Sequence, residues 1–378
     1  MKNKLKILFF CHNGKPYGAN KSLFTLIKYL NTNYDVLLMV PFANSLNEDY
    51  KANEISQISL PFFPIIFFFR KKIRYLLFPL LQILNFFMFP VLLYRVWKFK
   101  PDIIYSNSSI ENMGWIVSKF LKVKHITHVR EFGDLDYSFI PLYGKRFKIW
   151  SLNESAGLIF NSNVVQEHVL PIHLQKTICR TIYNGIESID SNNKDRDNNS
   201  INIGIVGYIH KEKCQLEAVH FMKDLLMKYN SVFLSIYGDG EKKYIESIKK
   251  YALENNIEKK IFFMGYISDT NNIYKSIDIL LNFSKNEAFG RVTIEAMRDG
   301  IPVLGYNNAG TAELIVDNVD GFLFDDKNDF TSKFEKLISD KKTYDLISNN
   351  SRNKVKELFS DEKYTKDIEK FIIEIQNN

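Results

Sequence analysis

The strongest constraint on this chain is an alternation. Short apolar, strand-like runs recur along it, each followed by a longer stretch with helical spacing. In the first half the runs fall near Lys6–Phe10, Val36–Val40, Ile103–Ser106, His125–Val129, Leu158–Phe160 and Thr177–Tyr183. In the second half they fall near Ile201–Val206, Val232–Tyr237, Ile261–Met264, Ile279–Phe283, Val303–Leu304 and Gly321–Phe324. Leu23, Leu26, Ile27 and Leu30 show the helical spacing after the first run. Strands split by helices in this way predict parallel α/β sheets. The 378 residues suffice for two domains, and 46% hydrophobic with 25% charged residues excludes long disorder. Glu187–Ser200 is almost wholly polar or charged, so it cannot bury a core and marks a junction. We expect two doubly wound α/β domains facing a cleft: 1–187, a polar junction at 188–200, and 201–355. A C-terminal helix over 356–378 is expected to pack back toward the first domain. Ligands of such sheets sit beyond the carboxyl ends of the strands.

Cys11, Cys179 and Cys214 are too far apart to form a C-x-x-C pair, and their odd number gives no disulfide framework. That fits a reducing compartment and a cytoplasmic chain. There is no H-E-x-x-H and no Cys/His cluster of zinc type. The first apolar run, Ile7–Cys11, is too short for a signal-peptide core and reads as a buried strand.

The charge is placed unevenly. Net charge is +7, and Ile55–Pro101 contains no Asp or Glu while holding Arg70, Lys71, Lys72, Arg74, Arg95, Lys98 and Lys100. Between the basic clusters runs Leu76–Tyr94, without a single charge; Phe62–Phe69 upstream is also apolar. A transmembrane helix needs about 20 apolar residues, so the length is nearly sufficient. However, Pro79, Pro90, Gln82 and Asn85 interrupt the run, and one crossing would divide the strands of one sheet between two sides of a membrane. A helix lying in the interface satisfies both facts, with apolar side chains in lipid and Arg/Lys at anionic headgroups. We therefore expect peripheral membrane contact through 62–100, in preference to a buried helix pair or a span. Nucleic acid is not expected, because the interleaved residues are aliphatic and Phe runs rather than spaced stacking platforms.

The chemistry is concentrated in Ser284–Phe324. A strand ends, a loop carries Glu287, Ala288-Phe289-Gly290 makes a turn, and a helix carrying Glu295 follows. Glycine lets a backbone approach a ligand, and a helix N-terminus with its unpaired N–H groups suits phosphate. Glu295 is suited to a ribose diol and Glu287 to sugar hydroxyls. Either carboxylate alone would read as a helix-dipole partner. Together, with Gly290 between them, they address sugar, diphosphate and ribose of one molecule.

The context E-A-F-G-x-x-x-x-E-A-M-x-x-G-x-P-V, with its E-x7-E spacing, resembles the retaining glycosyltransferases of family 4, which have a GT-B fold of two Rossmann-like domains. The resemblance extends over nearly the whole chain. Tyr17-Gly18-Ala19-Asn20-Lys21-Ser22-Leu23 resembles the glycine loop after strand one, Pro101–Tyr105 a P-D-I-I-H strand, and His125–Glu131 the segment whose histidine faces the donor sugar. Phe160-Asn161-Ser162 and Tyr183–Ile186 resemble later strands of the first domain. Val206-Gly207 with Lys213 is similar to V-G-R-x-x-x-x-K-G, Tyr237–Glu241 to G-x-G-E, and Phe263-Met264-Gly265 to F-x-G. The resemblance implies an enzyme moving a sugar, with retention, from a UDP- or GDP-sugar to a glycan or polyprenyl-linked saccharide. This would serve cell-surface polysaccharide or glycolipid synthesis, with no cofactor and no metal. The first domain would take the acceptor and the second the nucleotide sugar. It implies catalytic roles for His128, Glu287 and Lys213, and donor contacts from Gly18, Tyr208, Phe289, Gly290, Arg291, Val292 and Glu295. Two departures stand out: Tyr208 occupies the usual Arg position, leaving Arg291 or His210 as substitute cations, and Cys214 replaces a Gly. The alternatives are a GT-B sugar-nucleotide epimerase and a non-catalytic nucleotide-sugar-binding or membrane-scaffold subunit.

Weaker signals stand beside this. Asp134-Leu135-Asp136 and Asp195-Arg196-Asp197 match a metal-binding D-x-D string, but a divalent ion at phosphates needs placed carboxylates. Gly14–Ser22 lacks the glycine that a Walker loop puts before Lys-Ser, since Asn20 stands there. His12, His168, His173 and His220 read as ordinary histidines. Arg130 and Glu131 read as a pair.

Overall fold

The computed structural model describes residues 4–12, 18–41, 53–63, 67–68, 72–137, 140–141, 144–170, 177–189 and 200–378. The chain divides into two compact units: Met1–Gly185 with Asp361–Asn378, and Ile186–Ser360.

The first unit contains β1 (Lys6–Phe10), α1 (Gly18–Leu30), β2 (Asp35–Val40), β3 (Ser56–Ser59), β4 (Phe67–Phe68), α2 (Lys72–Phe99), β5 (Ile103–Ser106), α3 (Met113–Leu121) and β6 (Lys124–Val129). It continues with α4 (Asp134–Tyr137), β7 (Ile140–Pro141), α5 (Gly144–Asn153), β8 (Gly157–Phe160), α6 (Asn163–Val169) and β9 (Ile178–Thr181). Seven strands form one parallel sheet in the order β3-β2-β1-β5-β6-β8-β9. Strand order reverses between β1 and β5. β3 escaped the sequence reading because it is an edge strand: Ser56-Gln57-Ile58-Ser59 need not bury both faces and shows no apolar run. β4 and β7 form a separate two-residue antiparallel pair.

α1 buries the predicted stripe, Leu23, Leu26, Ile27 and Leu30, on one face of this sheet. The C-terminal helix α14 (Asp361–Asn377) packs on the same face through Ile368, Phe371, Ile372 and Ile375, and its Glu369 accepts from the hydroxyls of Tyr29 (2.8 Å) and Tyr34 (2.7 Å). The other face is covered by α2 and α3. Leu92 and Val96 of α2 are buried against Leu8, Phe10, Met39 and Ile104. Buried Asn85 holds the backbone N–H of Phe63 (2.9 Å) and donates to its carbonyl (3.1 Å), so that polar residue docks the helix. Phe78–Phe99 is long and apolar enough to cross a membrane by length and composition. Yet the strands before and after it pair in one sheet, which ties the helix to that sheet.

The second unit runs β10 (Ile201–Val206), α7 (Gln215–Lys228), β11 (Val232–Tyr237), α8 (Lys242–Glu254), β12 (Ile261–Gly265), α9 (Thr270–Ser276) and β13 (Ile279–Asn282). Then come α10 (Arg291–Arg298), β14 (Val303–Tyr306), α11 (Ala309–Leu314), β15 (Phe322–Phe324), α12 (Lys327–Ser339) and α13 (Lys341–Leu358). Its six strands are parallel in the order β12-β11-β10-β13-β14-β15. Order reverses between β10 and β13, so the loops leaving those neighbouring strands diverge and leave a crevice. Each sheet is flanked by helices, as the alternation predicted.

Candidate functional site

In the second unit the predicted residues gather at the carboxyl ends of β10 and β13. The loop after β10 passes Gly207 and Tyr208 into a short 3-10 turn, Lys211–Lys213, capped by His210, whose Nδ1 accepts from Glu212 N (3.3 Å). Buried Gln215 latches this loop, accepting from His210 N (3.2 Å) and donating to the Tyr208 carbonyl (3.0 Å). The latch aims Lys213 at the loop after β13, where its Nζ donates to Glu287 Oε2 at 2.6 Å. The sequence reading assigned these two groups to different parts of a ligand; the structure makes them an ion pair.

Gly290 ends the turn at φ 95°, in the left-handed region that favours glycine, and precedes the first residue of α10. A Cβ there would also press on Leu314 Cδ1 at 3.2 Å. The next turn of chain is equally tight: Gly310 N donates to the Glu287 carbonyl (2.8 Å), and a side chain at 310 would collide with that carbonyl. Asn282, at the end of β13, donates to Thr293 (3.1 Å) and Thr311 (3.2 Å), pinning the starts of α10 and α11 to one strand. Asn308 caps α11 and donates to the Lys285 carbonyl (2.8 Å). The outcome is a rigid turn with the first N–H groups of α10, at Arg291 and Val292, at its edge. Phe289 is buried and supports the turn from beneath.

Glu295, in the second turn of α10, is buried, and each of its carboxylate oxygens accepts one hydrogen bond. Arg291 Nε donates to Oε1 (2.7 Å) and the buried Tyr274 hydroxyl to Oε2 (2.9 Å). Burial and this carboxylate push the Tyr274 hydroxyl well above its ordinary range, so it stays a donor. Arg291 is thus paired with Glu295, as Lys213 is with Glu287. His210 faces Glu241 at 3.7 Å, and Tyr208 is 55% exposed. Gln215, Tyr274, Asn282, Asn308 and Gly310 went unread in the sequence, because each acts on the loops rather than through a motif of its own.

In the first unit Gly18–Leu23 of the expected glycine loop form the first turns of α1 rather than a loop, and Tyr17 lies outside the described residues. Asn107, after β5, donates to the Ala19 carbonyl (3.2 Å), joining the loop after β5 to the first turn of α1. His128 is buried on β6 with Nδ1 2.6 Å from the Tyr105 hydroxyl, and its buried Nε2 has no hydrogen-bond partner among the described residues. Burial, then the nearby Arg130 charge, holds it well below the ordinary histidine range, so the ring is neutral. In the tautomer in which Tyr105 donates to Nδ1, the ring proton sits on Nε2.

Arg130 and Glu131 do not pair. Successive residues at the end of a strand diverge, and each has found neutral partners. Arg130 donates to Asn107 (2.9 Å), Asn184 and the Tyr364 hydroxyl (2.9 Å). Glu131 Oε1 accepts from Ser108 Oγ (2.8 Å), Ser109 N (2.9 Å) and Ser109 Oγ (2.7 Å). His12, expected to be ordinary, has a buried Nδ1 without a hydrogen-bond partner among the described residues, and burial holds its pKa below the usual value against the nearby Glu131 charge.

The D-x-D string at Asp134–Asp136 is used locally. Asp136 accepts from Phe132 N (3.1 Å) and Gly133 N (2.8 Å), and Asp134 lies 2.7 Å from His168 Nε2. Asp195, Asp197 and His173 lie outside the described residues. His220 packs on the Tyr251 ring, centroids 4.1 Å apart. Among the described residues no three His, Cys, Asp or Glu side chains gather as a metal site.

With this geometry in hand, comparison with known proteins gives the class. Residues 16–188 match the family described as Glycosyltransferase Family 4, and residues 187–354 match Glycosyl transferases group 1. The fold is of the GT-B type, and the two families matched side by side are both families of glycosyltransferases. It is 30% identical over 168 residues to the capsular polysaccharide biosynthesis glycosyltransferase CapM of Staphylococcus aureus, covering 43% of each chain. It is 31% identical over 163 residues to the UDP-Gal:alpha-D-GlcNAc-diphosphoundecaprenol alpha-1,3-galactosyltransferase of Escherichia coli, covering 42% of this chain and 41% of that one. The matched segments thus span less than half the length of these relatives. The fold is shared with Anabaena Alr3699/HepE in complex with UDP-glucose, at a TM-score of 0.79 and 21% identity over 98% of this chain and 100% of that one.

Proposed function

We propose that the chain transfers a sugar, with retention of configuration, from a UDP- or GDP-sugar to a glycan or lipid-linked saccharide at the cytoplasmic face of a membrane. The observation that carries this is the array in the second unit: Lys213 paired with Glu287, the Gly290 turn, the N-terminus of α10, and Glu295 held in place by Tyr274 and Arg291. In this reading Glu287 holds sugar hydroxyls, Glu295 the ribose, and Lys213 with the α10 N–H groups the diphosphate. A diphosphate competes with Glu287 for the Lys213 ammonium. Tyr208, Phe289, Arg291 and Val292 border the donor, and Gly18 lets its loop approach. His128 offers its Nε2 proton to a sugar hydroxyl, which accounts for a buried nitrogen left without a partner. Transfer proceeds by displacement on one face of the sugar. The bond from the anomeric carbon to the diphosphate breaks, the acceptor oxygen takes its place, and the acceptor proton passes to the departing phosphate. Lys213 and the helix N-terminus meet the charge that grows on that phosphate, so neither a metal nor a cofactor is required.

The acceptor reading is supported by the lipid-linked substrate in the Escherichia coli relative's name and by α2. The outward side of α2 bears Leu80, Ile83, Leu84, Phe86, Phe87, Val91, Tyr94 and Trp97, all exposed. An apolar face of this extent with basic flanks matches an interfacial helix.

The test is a donor screen on the full chain, following thermal stabilisation and release of nucleotide. One nucleotide sugar should raise the melting temperature and be consumed when a saccharide acceptor is added. An altered nucleotide sugar formed without acceptor would make the protein an epimerase, and stabilisation by none would overturn the reading. For the membrane, neutralising Arg70, Lys71, Lys72 and Arg74 should abolish flotation with liposomes.

A further inference from the structure

At the opposite end of the first sheet from His128 lies an open depression of about 420 Å³, lined by Ser118, Lys119, Lys122, Lys124, Asn153 and Ser155 among others. It forms because α3 stops abruptly: Lys122 adopts φ 54°, its N–H closes on Ser118 O, and the chain turns straight into β6. That turn brings three lysines around one hollow. Lys119 Nζ is steadied by the Glu154 carbonyl (2.9 Å) and carboxylate (2.7 Å), and Lys124 Nζ by the Gln376 carbonyl (2.8 Å). Lys122 is exposed. Three lysines and one glutamate, Glu154, line it, so the hollow is cationic.

Its neighbour is apolar. Phe120, between Lys119 and Lys122, is 65% exposed, and its ring meets Phe89 of α2 edge to face with centroids 5.0 Å apart. The exposed apolar side of α2, with Phe86 75% and Phe87 68% exposed, therefore continues across Phe89 onto Phe120 and stops at the lysines. A surface that changes from aliphatic and aromatic to cationic over one residue matches the boundary between acyl chains and anionic headgroups. A second protein copy would have to cover the apolar strip and the lysines at once, and would find few acids on this chain's own strip, since 55–101 has none.

We infer that the hollow at Ser118–Lys124 and Asn153–Ser155 is a binding site for the phosphate of an anionic phospholipid headgroup, seated while the α2 face and Phe120 enter the same leaflet. This rests on, and deepens, the membrane reading above. It places the lipid contact on α3 and the start of β6 as well as on the basic cluster before α2.

The test is sedimentation of the full chain with phosphatidylcholine vesicles, with and without phosphatidylglycerol, at low and high salt. The variants are Lys122→Gln, Lys119→Gln with Lys122→Gln, and Phe86→Ser with Phe87→Ser. Removing a lysine from an anionic surface costs about a fivefold loss of affinity, from about 1 kcal/mol per lysine. We expect that loss for Lys122→Gln and more than tenfold for the lysine pair, only on phosphatidylglycerol, at unchanged melting temperature and diminishing in high salt. Loss of binding in the Phe pair with wild-type charge dependence in the lysine pair would reject the hollow and leave the membrane reading standing. A wild-type chain that binds no vesicle, or that forms a stable dimer lost in the Phe pair, would reject both.

Discussion

The carboxyl ends of the two sheets handle charge in opposite ways. In the first unit the ionic side chains are bound to neutral groups: Arg130 to two asparagines and a tyrosine, Glu131 to two serines. His128 among them is neutral and buried. In the second unit charge faces charge, in Lys213–Glu287 and Arg291–Glu295, and the first pair is partly exposed beside a helix N-terminus. The first arrangement is stiff and offers uncharged hydrogen-bond donors, which suits hydroxyls. The second holds ions that a charged ligand can recruit, which suits a diphosphate. The same strand-order reversal therefore serves two chemistries, decided by which residues follow the strands.

The largest effect should come from the charged end. Glu287→Gln is expected to lower kcat/KM for transfer by roughly 100-fold or more, the scale for losing a group that contacts the reacting sugar; near wild-type turnover would erase the contrast. Next, Arg130→Lys should cost roughly 2–4 kcal/mol of stability, because a single ammonium cannot reach Asn107, Asn184 and Tyr364 together. Chemical denaturation would measure it, and a negligible change would mean the neutral end is not stiffened as described. Gly290→Ala should destabilise by roughly 1–2 kcal/mol through its left-handed backbone, with a lower melting temperature.

The last effect is a pH dependence in the first unit. Burial raises Glu111 to about 7 and lowers His125 to about 3, both beside Ser106. For Glu111 the folded state holds a proton that the unfolded state has lost, so stability falls as pH rises from about 4.5 to 7. For His125 the unfolded state holds the extra proton, so stability is lost as pH falls from about 6.5 toward 3. The two oppose each other between about 4.5 and 6.5. Glu111→Gln should therefore gain on the wild type as pH rises from 4.5 to 7, in melts across that range, and a pH-independent difference would contradict the assignment.

Much of this was legible in the residues. Apolar runs located most strands of both sheets because parallel strands are buried on both faces, and Glu287, Gly290 and Glu295 marked a glycine turn between two carboxylates by type and spacing. What stayed hidden depended on tertiary placement. Ser56–Ser59 has no apolar signature at its sheet edge, Tyr274 meets Glu295 only through packing of α9 on α10, and Arg130 has its partners 23, 54 and 234 residues away. The apolar stretch 76–94 announced a helix. Only the fold shows that Leu92 and Val96 point to the sheet while Phe86 and Phe87 point away.

The central claim is that Lys213, beside Glu287, receives the diphosphate of a sugar nucleotide. Calorimetric titration of the full chain with the nucleoside diphosphate of its best-stabilising donor tests it directly. Lys213→Ala should weaken binding about tenfold or more, with a reduced salt dependence and an unchanged melting temperature of the free protein. Equal affinity in wild type and Lys213→Ala would contradict the account.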